Sequence, residues 1–173
     1  MNTESRVECT VYETRQAMNA ACDDWLDIAT RIDIMAFGLK SFRKAQQAQI
    51  ERILAEGGDI RIITPMPGCD ALLLREEEEH VPTYSLTDEI KDLIEWAQNT
   101  NAKGFRGKIQ VRCYDHLPQE FLFLIDSRVF VGPYEYGKDS QQCLSFEYDA
   151  ESVMYEYYQN RFEELWNDPE FCV

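Results

Sequence analysis

The stretch that decides the fold is PQEFLFLIDSRVFVGPYEYG, residues 118–137. Its apolar runs at 121–125 and 129–131 are separated only by the corner Asp126-Ser127-Arg128. Two short runs rich in aromatic and β-branched residues, joined by a tight corner, are typical of a β-hairpin. Because an aspartate stands at the corner, the hairpin raises the question of whether Asp126 is a catalytic residue or a turn residue.

The length and composition indicate one globular domain. The chain has 173 residues, of which 45% are hydrophobic and 28% are charged, as in ordinary folded proteins. We expect a single domain over residues 1–173, with residues 1–19 as an N-terminal helical extension. No apolar run reaches the roughly 18–20 residues of a membrane-spanning helix, and the N-terminus lacks the basic-then-apolar pattern of a signal peptide. We therefore expect a cytoplasmic protein with no membrane partner.

The charge balance argues against a nucleic-acid partner. There are 17 Lys and Arg residues against 32 Asp and Glu, a formal net charge of -15. A protein that grips nucleic acid needs a broad basic face to replace the counterions of the phosphates. Four cations remain candidates for a local basic pocket: Arg43, Lys44, Arg52 and Arg61.

The cysteines and histidines indicate neither a metal site nor a cofactor. The six cysteines contain no C-x-x-C pair, so we interpret them as reduced thiols, several of them in the core. Cys113 and His116 have a spacing that a metal could use, but no second pair completes four ligands. The other histidine, His80, closes the run REEEEH, residues 75–80, which we interpret as a solvated helix face.

The alternation of helical and strand patterns predicts the fold class. Apolar residues recur at helical spacing in segments 11–29, 42–58, 85–102 and 150–168. Ser41 and Ser85 stand where N-caps are favoured, and Gly57 is expected to end the second helix.

Strand patterns lie on both sides of the second helix. The apolar segments 31–37 and 59–64 flank it and make a right-handed parallel β-α-β unit, and four short strands follow residue 107. We predict an α/β fold with a mixed β-sheet and helices on both faces. Segments 59–64 and 120–125 are its expected interior strands.

This order of elements, with the hairpin at 118–137, resembles one half of the phospholipase D-like fold. Active members carry H-x-K-x(4)-D followed by a glycine-led polar stretch. In them histidine is the nucleophile or acid, lysine binds phosphate, and aspartate supports the histidine. With Asp126 at the motif aspartate, Gly132 falls on the following glycine, Phe121 on the lysine and Gln119 on the histidine. The stretches WLDIA, GGDIRIITPMP, QVRCYD and VGPYEYG are similar to modules found beside regulatory domains in bacteria.

The resemblance implies a degenerate site. Gln119 cannot act as a phosphohistidine nucleophile, and Phe121 cannot balance phosphate charge. His116 lies close enough in sequence to reach the same pocket, although a strand-end histidine bonded to a backbone carbonyl is the simpler interpretation. Asp126 is interpreted as a turn residue that also holds the pseudo-active-site geometry, because aspartate bonds readily to nearby backbone amides.

Three functional hypotheses follow. The first is a non-catalytic sensor or regulatory module that binds a small ligand, such as a nucleotide or another phosphate-bearing metabolite, without a cofactor. The second is a phosphodiesterase or nuclease with atypical residues, and the third is a ligand-free oligomerisation scaffold. The expected vestigial pocket comprises Phe37, His116, Gln119, Asp126, Tyr134 and Tyr136.

The aromatic residues of that pocket also suggest an interface, although they fit simple core packing as well. A single half of the fold leaves the motif face uncovered. We expect Phe121, Tyr134 and Tyr136 to form an exposed patch there, which a second copy would cover in a symmetric homodimer.

Overall fold

The computed structural model describes residues 8–172, which fold around one seven-stranded sheet. The strands run in the order β1-β7-β6-β5-β2-β3-β4 across the sheet. Their bounds are β1 Thr10–Tyr12, β2 Ile32–Met35, β3 Ile60–Pro65, β4 Ile109–Tyr114, β5 Glu120–Ile125, β6 Arg128–Pro133 and β7 Ser145–Asp149.

Six α-helices and one short 3-10 helix connect or flank the strands. The α-helices are α1 Arg15–Leu26, α2 Lys40–Ala45, α3 Gln47–Glu56, α4 Asp70–Glu79, α5 Ser85–Asn101 and α6 Val153–Asn167, and the 3-10 helix is Ser140–Gln142. Among residues 8–172, no helix is both long enough and apolar enough to cross a membrane.

The sheet is mixed, as predicted. Strands β2, β3 and β4 pair in parallel, and β5, β6, β7 and β1 continue the sheet in antiparallel pairs. Strand β2 joins the two parts because it pairs in parallel with β3 and antiparallel with β5. Both predicted interior strands, β3 and β5, lie inside the sheet. The first strand after residue 107, β4, extends the parallel part rather than beginning the antiparallel part.

Helices cover both faces of the sheet, as the sequence pattern predicts. On one face, buried side chains of α1, α3 and α5 pack on β2 and β5, with Met18, Ile53 and Leu93 fully buried. On the other face, α6 packs Phe162 and Trp166 against β5 and β6. Burial of these apolar side chains is the main stabilising contribution.

Two helix predictions were wrong in their bounds. The helix expected over 11–29 begins at Arg15, because residues 10–12 form β1 and pair with β7. The rest of the expected extension, residues 1–7, lies outside the described residues. The helix expected over 42–58 is two helices that meet at Gln46, and Leu39 rather than Ser41 precedes the first of them. Gly57 ends α3 in the left-handed conformation, as predicted.

The run REEEEH is not a solvated face. Arg75 and Glu76 are each 1% exposed. The Glu76 carboxylate accepts hydrogen bonds from the backbone N–H groups of Tyr84 (2.6 Å), Leu86 (2.9 Å) and Thr87 (3.2 Å). Glu76 therefore caps the N-terminus of α5, in place of the predicted Ser85. One carboxylate of the four-acid run is thus a structural group.

Three of the four cations proposed for a basic pocket contact other groups, and the fourth, Lys44, is exposed. Arg61 forms a bidentate ion pair with Asp33, with both N–O distances 2.7 Å, on the face covered by α6. Arg52 donates to the carbonyls of Leu26 and Ala29. Arg43 stacks over the Trp96 ring, with its guanidinium carbon 5.6 Å from the ring centroid. These side chains do not converge on one anion site.

Candidate ligand site at the carboxyl end of β2

The hairpin corner fixes Asp126 as a structural residue. Its carboxylate accepts hydrogen bonds from the Thr30 N–H, the Thr30 hydroxyl and the Arg31 N–H, each at 2.9 Å. Asp126 itself has a left-handed φ of 45°, a conformation that aspartate tolerates better than most residues. The three hydrogen bonds tie the β5–β6 corner to the chain entering β2.

Asp126 does not share a pocket with Gln119. The two residues stand at opposite ends of β5, about 24 Å apart at the usual rise of about 3.4 Å per residue. The side chain of Gln119 is exposed. Its carbonyl accepts from the Tyr134 N–H at 2.8 Å and closes the ladder between β5 and β6.

Phe121, at the motif lysine position, is fully buried, so the expected exposed patch is wrong for this residue. Its ring packs on Gly132, the residue opposite it on β6. A Cβ at Gly132 would lie 2.7 Å from the Phe121 ring and 2.3 Å from the Leu144 carbonyl oxygen. The glycine is therefore required by close packing.

Phe37 and Tyr134 are brought together. Their ring centroids are 4.6 Å apart, and the Tyr134 ring also meets Phe121 edge-on at 5.9 Å. Burial raises the pKa of Tyr134 to about 12, so the phenol stays neutral at physiological pH. These aromatics form a packed wall at the carboxyl end of β2.

The other two predicted pocket residues lie apart from that wall. His116 is exposed beside Asp115, and its ring stacks on Phe171 with centroids 5.4 Å apart. Tyr136 is 77% exposed. Of the six expected residues, only Phe37 and Tyr134 are in mutual side-chain contact.

A cavity of about 350 Å³ opens beside the wall, and Phe37 lines it. Its sides come from α1, the segment from β2 into α2, the start of α5 and the 3-10 helix after β6, and Phe123 of β5 also lines it. Its polar lining comprises Arg15, Asn19, Asp23, Lys40, Ser41, Gln46, Glu79, Ser85, Glu89, Asp139, Ser140 and Gln141. A cavity of this volume is at the small end of ordinary small-molecule sites.

Arg15 differs from the other lining side chains because it is a buried cation. It is 6% exposed, and its Nε has no hydrogen-bond partner among residues 8–172. Its guanidinium carbon lies 4.4 Å from the ring centroid of Phe121 and 5.2 Å from that of Phe123. A cation thus stands over the residue that occupies the motif lysine position.

The acidic lining is partly neutralised by its neighbours. Glu79 pairs with Arg75 at 2.6 Å. Asp23 accepts a 2.5 Å hydrogen bond from the Gln46 side chain, yet burial, followed by the nearby Asp27 charge, raises its pKa above the ordinary range. The lining therefore combines isolated positive charge with hydrogen-bond acceptors, rather than forming a single-sign field.

The cavity has no activated thiol among its described lining residues. Its one cysteine, Cys22, is buried, and burial raises the pKa of the thiol far above its usual range. A thiol in that state is inert as a nucleophile. Nor do residues 8–172 contain any group of three or more His, Cys, Asp or Glu side chains placed to hold a metal ion.

Arg15 did not emerge from the sequence patterns, although one signal was present. Cations are disfavoured in the first turn of a helix, where the macrodipole is positive. Arg15 follows the N-cap Thr14 directly, and the first turn of α1 has no acid to compensate it. A residue that breaks a local rule in this way is a functional candidate.

Solved structures share this fold at low sequence identity. Nuc from Salmonella typhimurium, a phospholipase D family member, matches 92% of this chain and 95% of its own, with a TM-score of 0.54 and 16% identity. Phosphatidylserine synthase from Haemophilus influenzae Rd KW20 matches with a TM-score of 0.55 and 9% identity, over 95% of this chain and 38% of its own.

TrmBL2, an archaeal chromatin protein described as showing a novel mode of DNA binding, matches 96% of this chain with a TM-score of 0.56 and 15% identity. The present chain spans about half of TrmBL2, 54% of its length. No protein-family model and no curated protein sequence matches the chain. The likeness to Nuc and phosphatidylserine synthase shows a phospholipase D-like fold, as the predicted order of elements implies.

Proposed function

We propose that the chain is a non-catalytic phospholipase D-like sensor or regulatory module that binds a small ligand in the cavity beside Phe37. The single observation that carries the proposal is a cavity with a polar lining next to the motif position, where Phe121 and Gln119 replace lysine and histidine. The cavity offers polar side chains that a ligand could bind, while Phe121 and Gln119 lack the groups that phosphoryl transfer requires.

Native mass spectrometry of the gently purified protein tests the ligand. We expect a retained small molecule that is lost when the cavity is filled by Ser85→Trp. Ser127→Trp makes the same substitution at an exposed position outside the cavity, so this control should retain the ligand. A bare polypeptide mass for the unmodified protein, under conditions that preserve non-covalent complexes, would contradict the proposal.

The alternative of an atypical phosphodiesterase is tested directly. Incubation with a generic chromogenic phosphodiester, with and without divalent cations, should give only the buffer rate. Turnover that Gln119→Ala abolishes and Glu77→Gln leaves intact would replace the sensor proposal with an enzymatic one.

We further propose that the module works as a homodimer. Its support is a set of exposed apolar residues near one end of the strands, where β3, β4 and β6 end and β7 begins. They are Met66, Leu117, Tyr136 and Leu144. An apolar interface should resist salt, so sedimentation in about 0.5 M salt, where the Debye length is only a few Å, should show a dimer. A single species of about 20 kDa, matching the chain mass, would contradict it.

A further inference from the structure

The Arg15 guanidinium lacks the partners that a buried cation requires. Its side chain is 94% buried, Nε is unbonded, and none of the ion pairs within residues 8–172 includes it. A buried charge without a counter-ion is strongly destabilising. The rings of Phe121 and Phe123 offset part of that cost through cation–π contact, but they satisfy none of the five N–H donors.

The position of Arg15 decides what could satisfy those donors. The side chain lines the cavity, and Phe121 lies beneath the guanidinium. A planar guanidinium that opens into a cavity binds carboxylate or phosphate oxygens through two parallel hydrogen bonds. The side chain that lacks a protein partner for its Nε–H is therefore also one of the side chains that line the cavity.

The rest of the lining limits the ligand's charge. Asp23, Glu89 and Asp139 also line the cavity, while Lys40 is the only other cation among the lining residues described. A polyanion such as a nucleoside triphosphate would meet like charges on these walls. A molecule with one anionic group would pair that group with Arg15. A remainder rich in hydroxyl or ammonium donors would pair with the acidic side chains of the lining.

We propose that Arg15 replaces the missing motif lysine as the anion-binding group, and that the cavity takes a small molecule with one carboxylate or phosphate and a donor-rich remainder. This inference rests on the proposed ligand-binding function and names its ligand class. The cavity of about 350 Å³ suits molecules from amino-acid to sugar-phosphate size.

The test uses NMR titration of the whole chain, following the Arg15 side-chain Nε–H signal in the unmodified protein and the backbone amide signals of the lining residues Ser85 and Ser140 in every variant. The probes are phosphoethanolamine and γ-aminobutyrate, with inorganic phosphate, acetate and ethanolamine as their separate halves. We expect at least one of the two-ended probes to shift the Arg15 signal and to saturate below about 20 mM, a weak but measurable affinity. Whichever two-ended probe binds identifies phosphate or carboxylate as the preferred anion.

Variants then test whether probe binding depends on the positive charge of Arg15. Arg15→Met keeps an unbranched apolar stem over Phe121 and should weaken binding about 10- to 100-fold, the range for a lost charged hydrogen-bond pair. Arg15→Lys keeps the charge and should retain most of the affinity. Arg106→Met makes the same charge change at an exposed site outside the cavity and should bind like the unmodified protein.

The outcomes separate this inference from the proposed function. Equal binding by Arg15→Met and the unmodified protein, or equal binding of ethanolamine alone, would overturn the role of Arg15. If native mass spectrometry finds a ligand that Arg15→Met still retains, ligand binding stands and the assigned class falls. If no probe shifts the Arg15 signal and no ligand is retained, both fail. Should Arg15→Met not fold, Arg15→Lys and the titration of the unmodified protein decide.

Discussion

Replacing Glu76 should destabilise the fold far more than replacing its neighbour Glu77. The Glu76 carboxylate is 1% exposed and accepts three backbone N–H groups at the start of α5. Glu76→Ala leaves those donors buried without partners. Hydrogen bonds to charged groups contribute about 1.5–3 kcal/mol each. With three such bonds and incomplete additivity, we expect a loss of about 4 kcal/mol.

Glu76→Gln is the sharper variant because it keeps the shape of the side chain. Its amide oxygen can still accept from Leu86 and Thr87, but its NH₂ group then faces the N–H of Tyr84, donor against donor. We expect a loss of about 2 kcal/mol, one charged bond plus the loss of charge on the others. Glu77→Gln changes the same charge on the same helix at an exposed position and should stay within about 0.5 kcal/mol.

Urea unfolding measures these differences. With an m-value of about 2 kcal/mol per molar urea, the midpoint should fall by about 2 M for Glu76→Ala and about 1 M for Glu76→Gln. Amide exchange at Tyr84, Leu86 and Thr87 should accelerate in Glu76→Gln, because local opening at the start of α5 becomes easier. Equal midpoints for Glu76→Gln and Glu77→Gln would refute the capping role of Glu76 and would support the interpretation of the acid run as a solvated face.

Three further perturbations test other parts of the fold. Gly132→Ala should lower the melting temperature by several degrees, because its Cβ would lie 2.3 Å from the Leu144 carbonyl oxygen. Overpacking of this kind costs about 1–3 kcal/mol. An unchanged melting temperature would contradict the close packing. Arg61→Met should cost about 1.5–3 kcal/mol, because it removes both hydrogen bonds from Arg61 to the buried Asp33 carboxylate and leaves only the half-exposed Arg31, at 3.0 Å, as its ion-pair partner. Combining it with Asp33→Leu should recover most of that loss in urea unfolding, and a double variant worse than the single would refute this. Because burial raises the pKa of Tyr134 from 10.0 to about 12, its contribution is complete below pH 10 and is lost as pH rises towards 12. At about pH 11, Tyr134→Phe should therefore reduce the fall in unfolding free energy per pH unit by up to about 1.4 kcal/mol, and an identical slope would contradict the assignment.

The fold was predictable because its signals are local. Two continuous apolar runs place β5 and β6 correctly, and the Asp126 corner fits a side chain that bonds to backbone amides, here those of Thr30 and Arg31. The capping role of Glu76 could not be predicted, because its partners lie 8 to 11 residues away and meet it only after α4 folds back on α5. The exposed patch predicted from Phe121, Tyr134 and Tyr136 loses Phe121, which is buried beneath Arg15, so the proposed homodimer depends on Tyr136 and the other exposed apolar residues near it.

Residues that violate local preferences collect around the cavity. Leu39 lines it with a left-handed φ of 56°, and Tyr84, with a φ of 67°, stands next to the lining residue Ser85. Left-handed backbone costs a non-glycine residue roughly 1–2 kcal/mol, and Arg15 adds an uncompensated charge at a helix N-terminus. Strain persists where the surrounding structure over-determines it, and such positions concentrate at ligand clamps. A ligand whose anion satisfies Arg15 would offset part of this cost, so binding would raise stability by mass action. The two-ended probe that shifts the Arg15 signal should also raise the melting temperature, and Arg15→Met should be no less stable than the unliganded protein. Marked destabilisation by Arg15→Met with no probe present would mean that the arginine also supports the core, and Arg15→Lys would then carry the test of the anion site.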